Sequence, residues 1–238
     1  MQNDHFIEIY NNQAEAYQRM IAAEDVEQNL LPALNSLVDF SGQRVLDLGS
    51  GTGRLARLLH KQAATGLALD LHWAMLRENR RLQQRDGFRW PLVQGDLHRL
   101  PLASAAAGVI TAGWAIGHFC DWYGSEWRNH VEQALREMQR VAQPGASLLI
   151  LETLGTGTLS AAPPTSGLAA YYELLEQAWG FQKYEVATDY QFDSMSEAVA
   201  CMEFFFGEQL AQEIRGRGWR RVPEWTGIWH CIARWAGQ

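Results

Sequence analysis

Cysteine is scarce and scattered: Cys120, Cys201 and Cys231 are the three in 238 residues, with no Cys-x-x-Cys. An odd, widely spaced set builds no disulfide framework, and reduced thiols in a cytoplasmic protein are the expectation. The seven histidines show no zinc spacing. His118 and Cys120 alternate, but two ligands do not make a site, so no metal is expected. No apolar run approaches the length of a bilayer span. The polar, acidic start, Met1-Gln2-Asn3-Asp4-His5, does not read as a secretory leader. Basic charge is in deficit, with a formal net charge of −7, which argues against a nucleic-acid surface. Two small arginine clusters exist, Arg77/Arg80/Arg81/Arg85 and Arg215/Arg217/Arg220/Arg221. Acids and amides intersperse or flank them (Glu78, Asn79, Gln83, Gln84; Glu213, Glu224), so both read as solvated faces. No internal repeat is visible.

What is present suffices for a self-standing fold. A chain of 238 residues is one large domain or a domain with a cap, and buries roughly 70% of its unfolded surface without a covalent staple. Hydrophobic residues make up 47%, and tryptophan is unusually common at ten. The tryptophans gather in 114–127 and 219–235, with Trp73, Trp90 and Trp179 outside. Core and interface packing is the first reading, an aromatic-lined pocket the second.

Residues 5–38 carry helical patterns: Phe6, Ile9, Tyr10, Tyr17 and Ile21 on one face, then Val26, Leu30, Leu34 and Leu37. Pro32 falls inside the second and kinks it or opens a fresh turn. From residue 44 strands and helices alternate, which predicts a parallel sheet with helical crossovers. The expected strands are 44–48, 65–70, 91–94, 107–112 and 147–152. The expected helices are 53–62, 72–84 and 125–142, the last ended by Pro144-Gly145. Residues 155–167, rich in Gly, Thr, Ser and Pro, form a loop long enough to be functional or mobile. Beyond it a helix over 168–179, a strand-like 184–192, a helix over 194–216 and a last strand over 226–235 are expected.

The most informative stretch is Val45-Leu46-Asp47-Leu48-Gly49-Ser50-Gly51-Thr52-Gly53-Arg54: a strand, a turn with glycine at every second position, then a helix start. Alternate glycines let the chain turn sharply and admit a ligand against bare main chain, with unpaired helix N–H groups behind. A dinucleotide fingerprint wants Gly-x-Gly-x-x-Gly. Here the third glycine comes one residue early, Arg54 holds the dinucleotide position, and a carboxylate, Asp47, precedes the loop. That carboxylate repels a pyrophosphate but suits an ammonium group.

This turn resembles motif I of the class I S-adenosylmethionine (SAM)-dependent methyltransferases. Three further stretches resemble the family's later motifs: Leu69-Asp70-Leu71-His72-Trp73-Ala74-Met75-Leu76, Gln94-Gly95-Asp96 through Leu102, and Val109 through Phe119. Leu135-Arg136-Glu137 through Pro144-Gly145 resembles its signature before strand 5. The likeness runs from about residue 40 to 152 and points to the branch with ubiquinone-biosynthesis and other small-molecule methyltransferases. Two departures stand out: Ala107-Gly108 where the family often has Phe-Asp, and Gly117-His118 where it often has a His pair. The resemblance implies a doubly wound, mostly parallel seven-stranded α/β sheet of Rossmann-like type. The expected organisation is a helical cap at 1–40, a SAM-binding core at 41–152, and at 153–238 a substrate cap plus closing strands, with the last strand antiparallel beside the strand near 184–192.

Ligands of such sheets bind at the strands' carboxyl ends. Asp47 ends strand 1 near the cofactor's amino-acid end. Asp70 ends strand 2, 21 residues past Gly49, where a carboxylate accepts both ribose hydroxyls. Asp96 follows strand 3, placed to accept from the adenine amino group, with Leu71 and Leu97 flanking the ring. Gly49, Ser50, Gly51, Gly53, Ala112, Gly113 and Tyr17 complete the expected cofactor contacts. On the acceptor side Trp114 offers an aromatic wall to a sulfonium, Tyr10 closes over it, and His118 is the candidate base, with Glu152 as another. The expected substrate is a small, mostly apolar or aromatic molecule, with no nucleic-acid or membrane partner and either a monomer or a homodimer. The alternatives are a non-catalytic SAM- or nucleoside-binding module, whose acceptor cavity side chains would fill, and an RNA or protein methyltransferase, which would need a basic face.

Overall fold

A computed structural model of the chain describes residues 2–63 and 65–233. The elements run α1 (Gln2–Asn12), α2 (Ala14–Ile21), α3 (Leu30–Leu37), β1 (Arg44–Leu48), α4 (Arg54–Leu59), β2 (Thr65–Asp70), α5 (Trp73–Asp86), β3 (Leu92–Gln94) and β4 (Ala107–Gly113). Then come α6 (Phe119–Trp122), α7 (Trp127–Val141), β5 (Ala142–Thr156), α8 (Ser166–Glu173), β6 (Gln182–Ala187), β7 (Tyr190–Gln191), α9 (Met195–Phe206), α10 (Glu208–Arg217), β8 (Arg221–Val222) and β9 (Glu224–Ile232).

Seven strands form one sheet in the order β3-β2-β1-β4-β5-β9-β6. The first five are parallel. β9 inserts antiparallel between β5 and β6, as the sequence leads one to expect; residues 234 and 235 of the expected last strand lie outside the described residues. Strand side chains alternate between two apolar layers, the period-2 rule of a sheet covered on both faces. Val45, Val109, Leu149 and Ile228 pack on α3 and α4. Leu46, Ile110, Leu148 and Ile150 pack on α7 and α8.

Several boundaries move. Asp25, with φ of 61°, holds the main-chain N–H groups of Asn29 (2.8 Å) and Leu30. α3 therefore starts at Leu30, Pro32 sits harmlessly in its first turn, and Val26 stays outside, exposed. The helix before strand 5 ends at Val141, one residue short of the expected 142 and ahead of Pro144-Gly145. β5 starts at Ala142 because the main chain of Ala105 and Ala106 bonds Arg140 and Val141 there. The expected 184–192 strand divides into β6 and β7, and the 194–216 helix breaks at Gly207, whose φ of 84° no L side chain favours. The substrate cap expected within 153–238 does not include α8. Tyr171 and Tyr172 of α8 are buried in the sheet-facing layer. The cap proper is α1, α2, α9, α10 and the β7–β8 ribbon, joined through Met20, Tyr190, Met202, Ile214 and Val222, with Ile9 and Tyr10 seated on Met75. No described helix is long and apolar enough to cross a membrane.

The arginine clusters behave as solvated faces. Arg81 pairs with Glu78, Arg215 with Glu203 and Glu208, and Arg221 with Glu27 and Asp189. Glu224 does not join them; it is 2% exposed, and its surroundings belong to the cavity described next.

Candidate cofactor and acceptor cavity

At the carboxyl edge of the sheet, under the cap, lies a cavity of about 270 Å³. Its floor is the glycine turn. Gly49, Gly51 and Gly53 all take left-handed φ, at 61°, 51° and 88°, which only glycine adopts cheaply. The three differ in what a side chain would meet. A Cβ on Gly49 would strike Ala115 Cβ, and one on Gly53 would lie 2.5 Å from Asn79 Oδ1. A Cβ on Gly51 would meet nothing within 4 Å: its bare face opens on the cavity. Gly53 therefore corrects the expectation, because it closes the turn on α5 and does not line the cavity. Ala112 is corrected likewise. Fully buried, it packs into the sheet layer with Leu48 and Ile150, and the cavity begins one residue later at Gly113.

The other expected residues all line this one cavity: Asp47, Gly49, Ser50, Gly51, Asp70, Leu71, Asp96, Leu97, Gly113, Tyr17, Trp114, His118 and Tyr10. Asp47 is 1% exposed; Oδ1 accepts from Thr111 Oγ1 at 2.8 Å, and Oδ2 is buried with no partner. Burial pushes its carboxyl up to about 7. Ser50 Oγ is likewise buried and unpartnered. Asp70 Oδ2 accepts from Gly51 N and Oδ1 from His72 N, both at 2.8 Å; these bonds lock the turn to strand 2 and leave each oxygen a second lone pair. Asp96 is half exposed and bonds His98.

Opposite the floor, Phe6, Tyr10, Tyr17 and Phe205 make an aromatic roof with ring centroids 5.0–6.5 Å apart. Tyr10 OH and His118 Nε2 are 2.8 Å apart, and the imidazole stacks on Trp122 at 5.1 Å. Burial pulls His118 down to about 4, so the imidazole is neutral at physiological pH and a weak base. Glu152, at the carboxyl end of β5, is 4% exposed and takes Gly117 N–H on Oε1 at 2.8 Å. Burial lifts it to about 8. A Cβ on Gly117 would lie 2.9 Å from Glu152 Oε2. Glycine at that departure from the family's His pair is thus the seat of a buried carboxyl.

Trp114 leaves β4 with φ of 50°, unfavourable for so bulky a residue, and is held by its N–H to Leu151 O at 2.6 Å. That turn swings its ring over the cavity, where the Arg54 guanidinium lies 4.2 Å from the ring centroid. Arg54 pairs with Glu24 at 2.6 Å. Thr52 donates to Gln18 Oε1 of α2 at 2.6 Å, tying the cap to the turn. Glu24 and Glu224 are lining residues that sequence reading missed, since a loop carboxylate and a strand-start carboxylate 200 positions apart carry no local pattern. Conversely, no residue of 155–167 is among the described residues lining the cavity; Leu168 is its nearest chain neighbour there. No group of described residues is suited to hold a metal ion.

A sequence profile described as a methyltransferase domain matches residues 46–150. Among curated proteins, a malonyl-[acyl-carrier protein] O-methyltransferase of Methylovorus sp. is 36% identical over 57% of this chain and 44% of its own. A ubiquinone/menaquinone biosynthesis C-methyltransferase of Cupriavidus metallidurans is 32% identical over 47% of this chain and 43% of its own. The chain thus matches under half the length of these relatives. Among solved structures, a SAM-dependent methyltransferase from Aquifex aeolicus covers 93% of this chain and 99% of its own, with a TM-score of 0.57 at 16% identity; that likeness is one of fold.

Proposed function

We propose, from the premise that the chain belongs to the class I SAM-dependent methyltransferase family, that it moves a methyl group from SAM to a small-molecule acceptor. The observation that carries this is the floor of the cavity. Two buried polar atoms without partners, Asp47 Oδ2 and Ser50 Oγ, stand beside the open face of Gly51. Such atoms are costly unless a ligand completes them, and a cofactor with an ammonium group and hydroxyls fits that donor set.

When bound, SAM supplies a methyl group on a sulfonium, an already activated leaving group. The chain's own work is binding, orientation and desolvation. On this reading Asp70 accepts the ribose hydroxyls, Asp96 the adenine amino group, and Leu71 and Leu97 flank the adenine. Asp47 and Ser50 face the amino-acid end, with Gly51, Gly113 and Tyr17 around it. Trp114 presents an aromatic face to positive charge. Tyr10 and His118 act as a pair: the phenol hydroxyl takes the proton leaving the acceptor and passes its own to the neutral imidazole nitrogen that it bonds. The cap and its aromatic roof exclude water.

Two features support a catalytic small-molecule enzyme over the alternatives. The cavity lining extends from the glycine turn to Glu152, Thr153 and Glu224, which supports an acceptor site beside the cofactor. Arg54 is the sole Lys or Arg among the described lining residues, unlike the basic face an RNA substrate requires. The relatives' names, one an O- and one a C-methyltransferase, do not agree on an acceptor. The test is calorimetry with S-adenosylhomocysteine, followed by incubation with methyl-labelled SAM and a small-metabolite extract. Binding, and label in a small product, are expected. Tight NADH binding with no S-adenosylhomocysteine binding would overturn the reading.

A further inference from the structure

The acceptor side of the cavity holds a polar cluster that the cofactor assignment does not use. Glu24 comes from the loop after α2, Arg54 opens α4, and Glu224 opens β9. Because β9 runs antiparallel to β5, its first residue lies at the carboxyl edge, in register with Thr156. The side chains of Glu24 and Arg54 are 4% and 13% exposed, and Glu224 is 2% exposed. One oxygen of each carboxylate is engaged, Glu24 Oε2 by Arg54 at 2.6 Å and Glu224 Oε1 by Thr153 Oγ1 at 2.9 Å. The other oxygens, Glu24 Oε1 and Glu224 Oε2, are buried without partners, as is Arg54 Nη2. All three residues line the cavity. Three unpartnered buried atoms in one wall are costly for the free protein and call for a ligand group.

Charge decides which group. Arg54 is neutralised by Glu24 and covered on its face by Trp114, leaving Nη2 to donate to a ligand oxygen. Glu224 has no cationic partner of its own. Burial first, and Glu24 second, hold its carboxyl well above the usual range. Among the described lining residues there are seven acidic side chains and one guanidinium. A carboxylate-bearing acceptor would meet net repulsion there, whereas an ammonium would donate to both free oxygens and let Glu224 ionise. The remaining wall, with Tyr17, Trp114, Tyr190 and Phe205, favours an apolar or aromatic body and tolerates a cation against its rings.

We propose that Glu24, Arg54 and Glu224 form an acceptor-recognition subsite for a protonated amine carried on an aromatic or apolar body, its nitrogen donating to Glu24 Oε1 and Glu224 Oε2. This rests on the methyltransferase reading, and titrating the parent chain with S-adenosylhomocysteine tests that reading separately. The probes for the subsite are phenethylamine, phenylacetamide and phenylacetate, matched in size and differing in charge, titrated into the full chain saturated with S-adenosylhomocysteine. The amine should bind about tenfold or more tightly than either of the others. Glu224→Gln should abolish that preference while S-adenosylhomocysteine affinity stays at the parent value. Equal affinities, preference for the amide or the acetate, or no amine binding overturns the proposal. So does a Glu224→Gln variant that loses S-adenosylhomocysteine affinity as much as amine affinity, because the cluster then belongs to the cofactor. The probe series on the parent chain decides without any variant, should Glu224→Gln fold poorly. If the parent does not bind S-adenosylhomocysteine, the methyltransferase reading is what fails.

Discussion

Gly51 and Gly53 stand two residues apart in one turn with similar φ, yet adding a methyl group to each should have opposite consequences. Gly51→Ala places a Cβ where no atom lies within 4 Å. The folded protein then bears only the left-handed φ cost, about 1–2 kcal/mol. For a chain of this size that lowers Tm by roughly 2–8 °C. The methyl group fills the space through which a ligand reaches bare main chain, so S-adenosylhomocysteine affinity should fall by more than about tenfold, at least ~1.4 kcal/mol. Gly53→Ala bears the same φ cost and drives its Cβ into the Asn79 amide, 2.5 Å away. Asn79 is fully buried, accepts from Gln83 Nε2 at 2.8 Å and donates to Gly51 O, while Gln83 Oε1 takes Trp90 N–H at 2.7 Å. Breaking one or two bonds of that buried chain adds about 1–3 kcal/mol each. The total, roughly 2–8 kcal/mol, lowers Tm further than Gly51→Ala does. Differential scanning calorimetry and titration calorimetry on the same preparations read both quantities. A Gly51→Ala protein that binds S-adenosylhomocysteine like the parent, or a Gly53→Ala protein that melts like the parent, refutes the assignment of one face to ligand and the other to packing.

Asp70→Asn keeps the side chain's shape but removes a charged acceptor for hydroxyls, so S-adenosylhomocysteine affinity should drop by about 1.5–3 kcal/mol; unchanged affinity removes Asp70 from the ribose site. Stability should fall as pH rises from about 6.5 to 8. Asp47, raised from 3.8 to about 7, and Glu152, raised from 4.5 to about 8, hold protons in the native state that the unfolded chain has released. His118, lowered from 6.5 to about 4, acts the other way, but only below about 6.5. Glu152→Gln should flatten the upper part of that profile, and a Tm-versus-pH curve identical to the parent's refutes the buried-acid account. With the acceptor that the label assay identifies, His118→Ala and Tyr10→Phe should both slow single turnover while leaving SAM affinity nearly unchanged. If both variants turn over at the parent rate and only Tm drops, the 2.8 Å Tyr10–His118 bond is structural.

The carboxylates proposed to hold the cofactor are legible in the sequence because each is placed by its own strand. Asp47, Asp70 and Asp96 stand at or just past three strand ends, and a parallel sheet brings consecutive strand ends to one edge whatever the rest of the chain does. Within that local frame, direction is what separates two of the expected residues from the cavity. Gly53 and Ala112 fall at the right places along the chain but face α5 and the sheet layer. A glycine pattern reports backbone conformation and not which way the absent side chain would point; strand alternation decided Ala112.

The acceptor side follows another logic. Its wall is assembled from Glu24, Arg54, Trp114, Glu152 and Glu224, which come from the cap, a helix start and three strand ends. They converge because β9 enters the sheet backwards, so that its first residue, not its last, reaches the carboxyl edge beyond β5. No spacing rule encodes that meeting. In the sequence Glu224 reads as one more acid beside Arg220 and Arg221. It is the antiparallel insertion that separates it from them, leaving Arg221 outside with Glu27 and Asp189 and Glu224 inside with an unpartnered oxygen. The strand that closes the sheet therefore also sets the charge of the acceptor wall. A substitution that shifts β9 by one residue would flip every β9 side chain to the other face, carry Glu224 out of the cavity and, on the proposed reading, cost acceptor recognition while leaving Asp47, Asp70 and Asp96 in place.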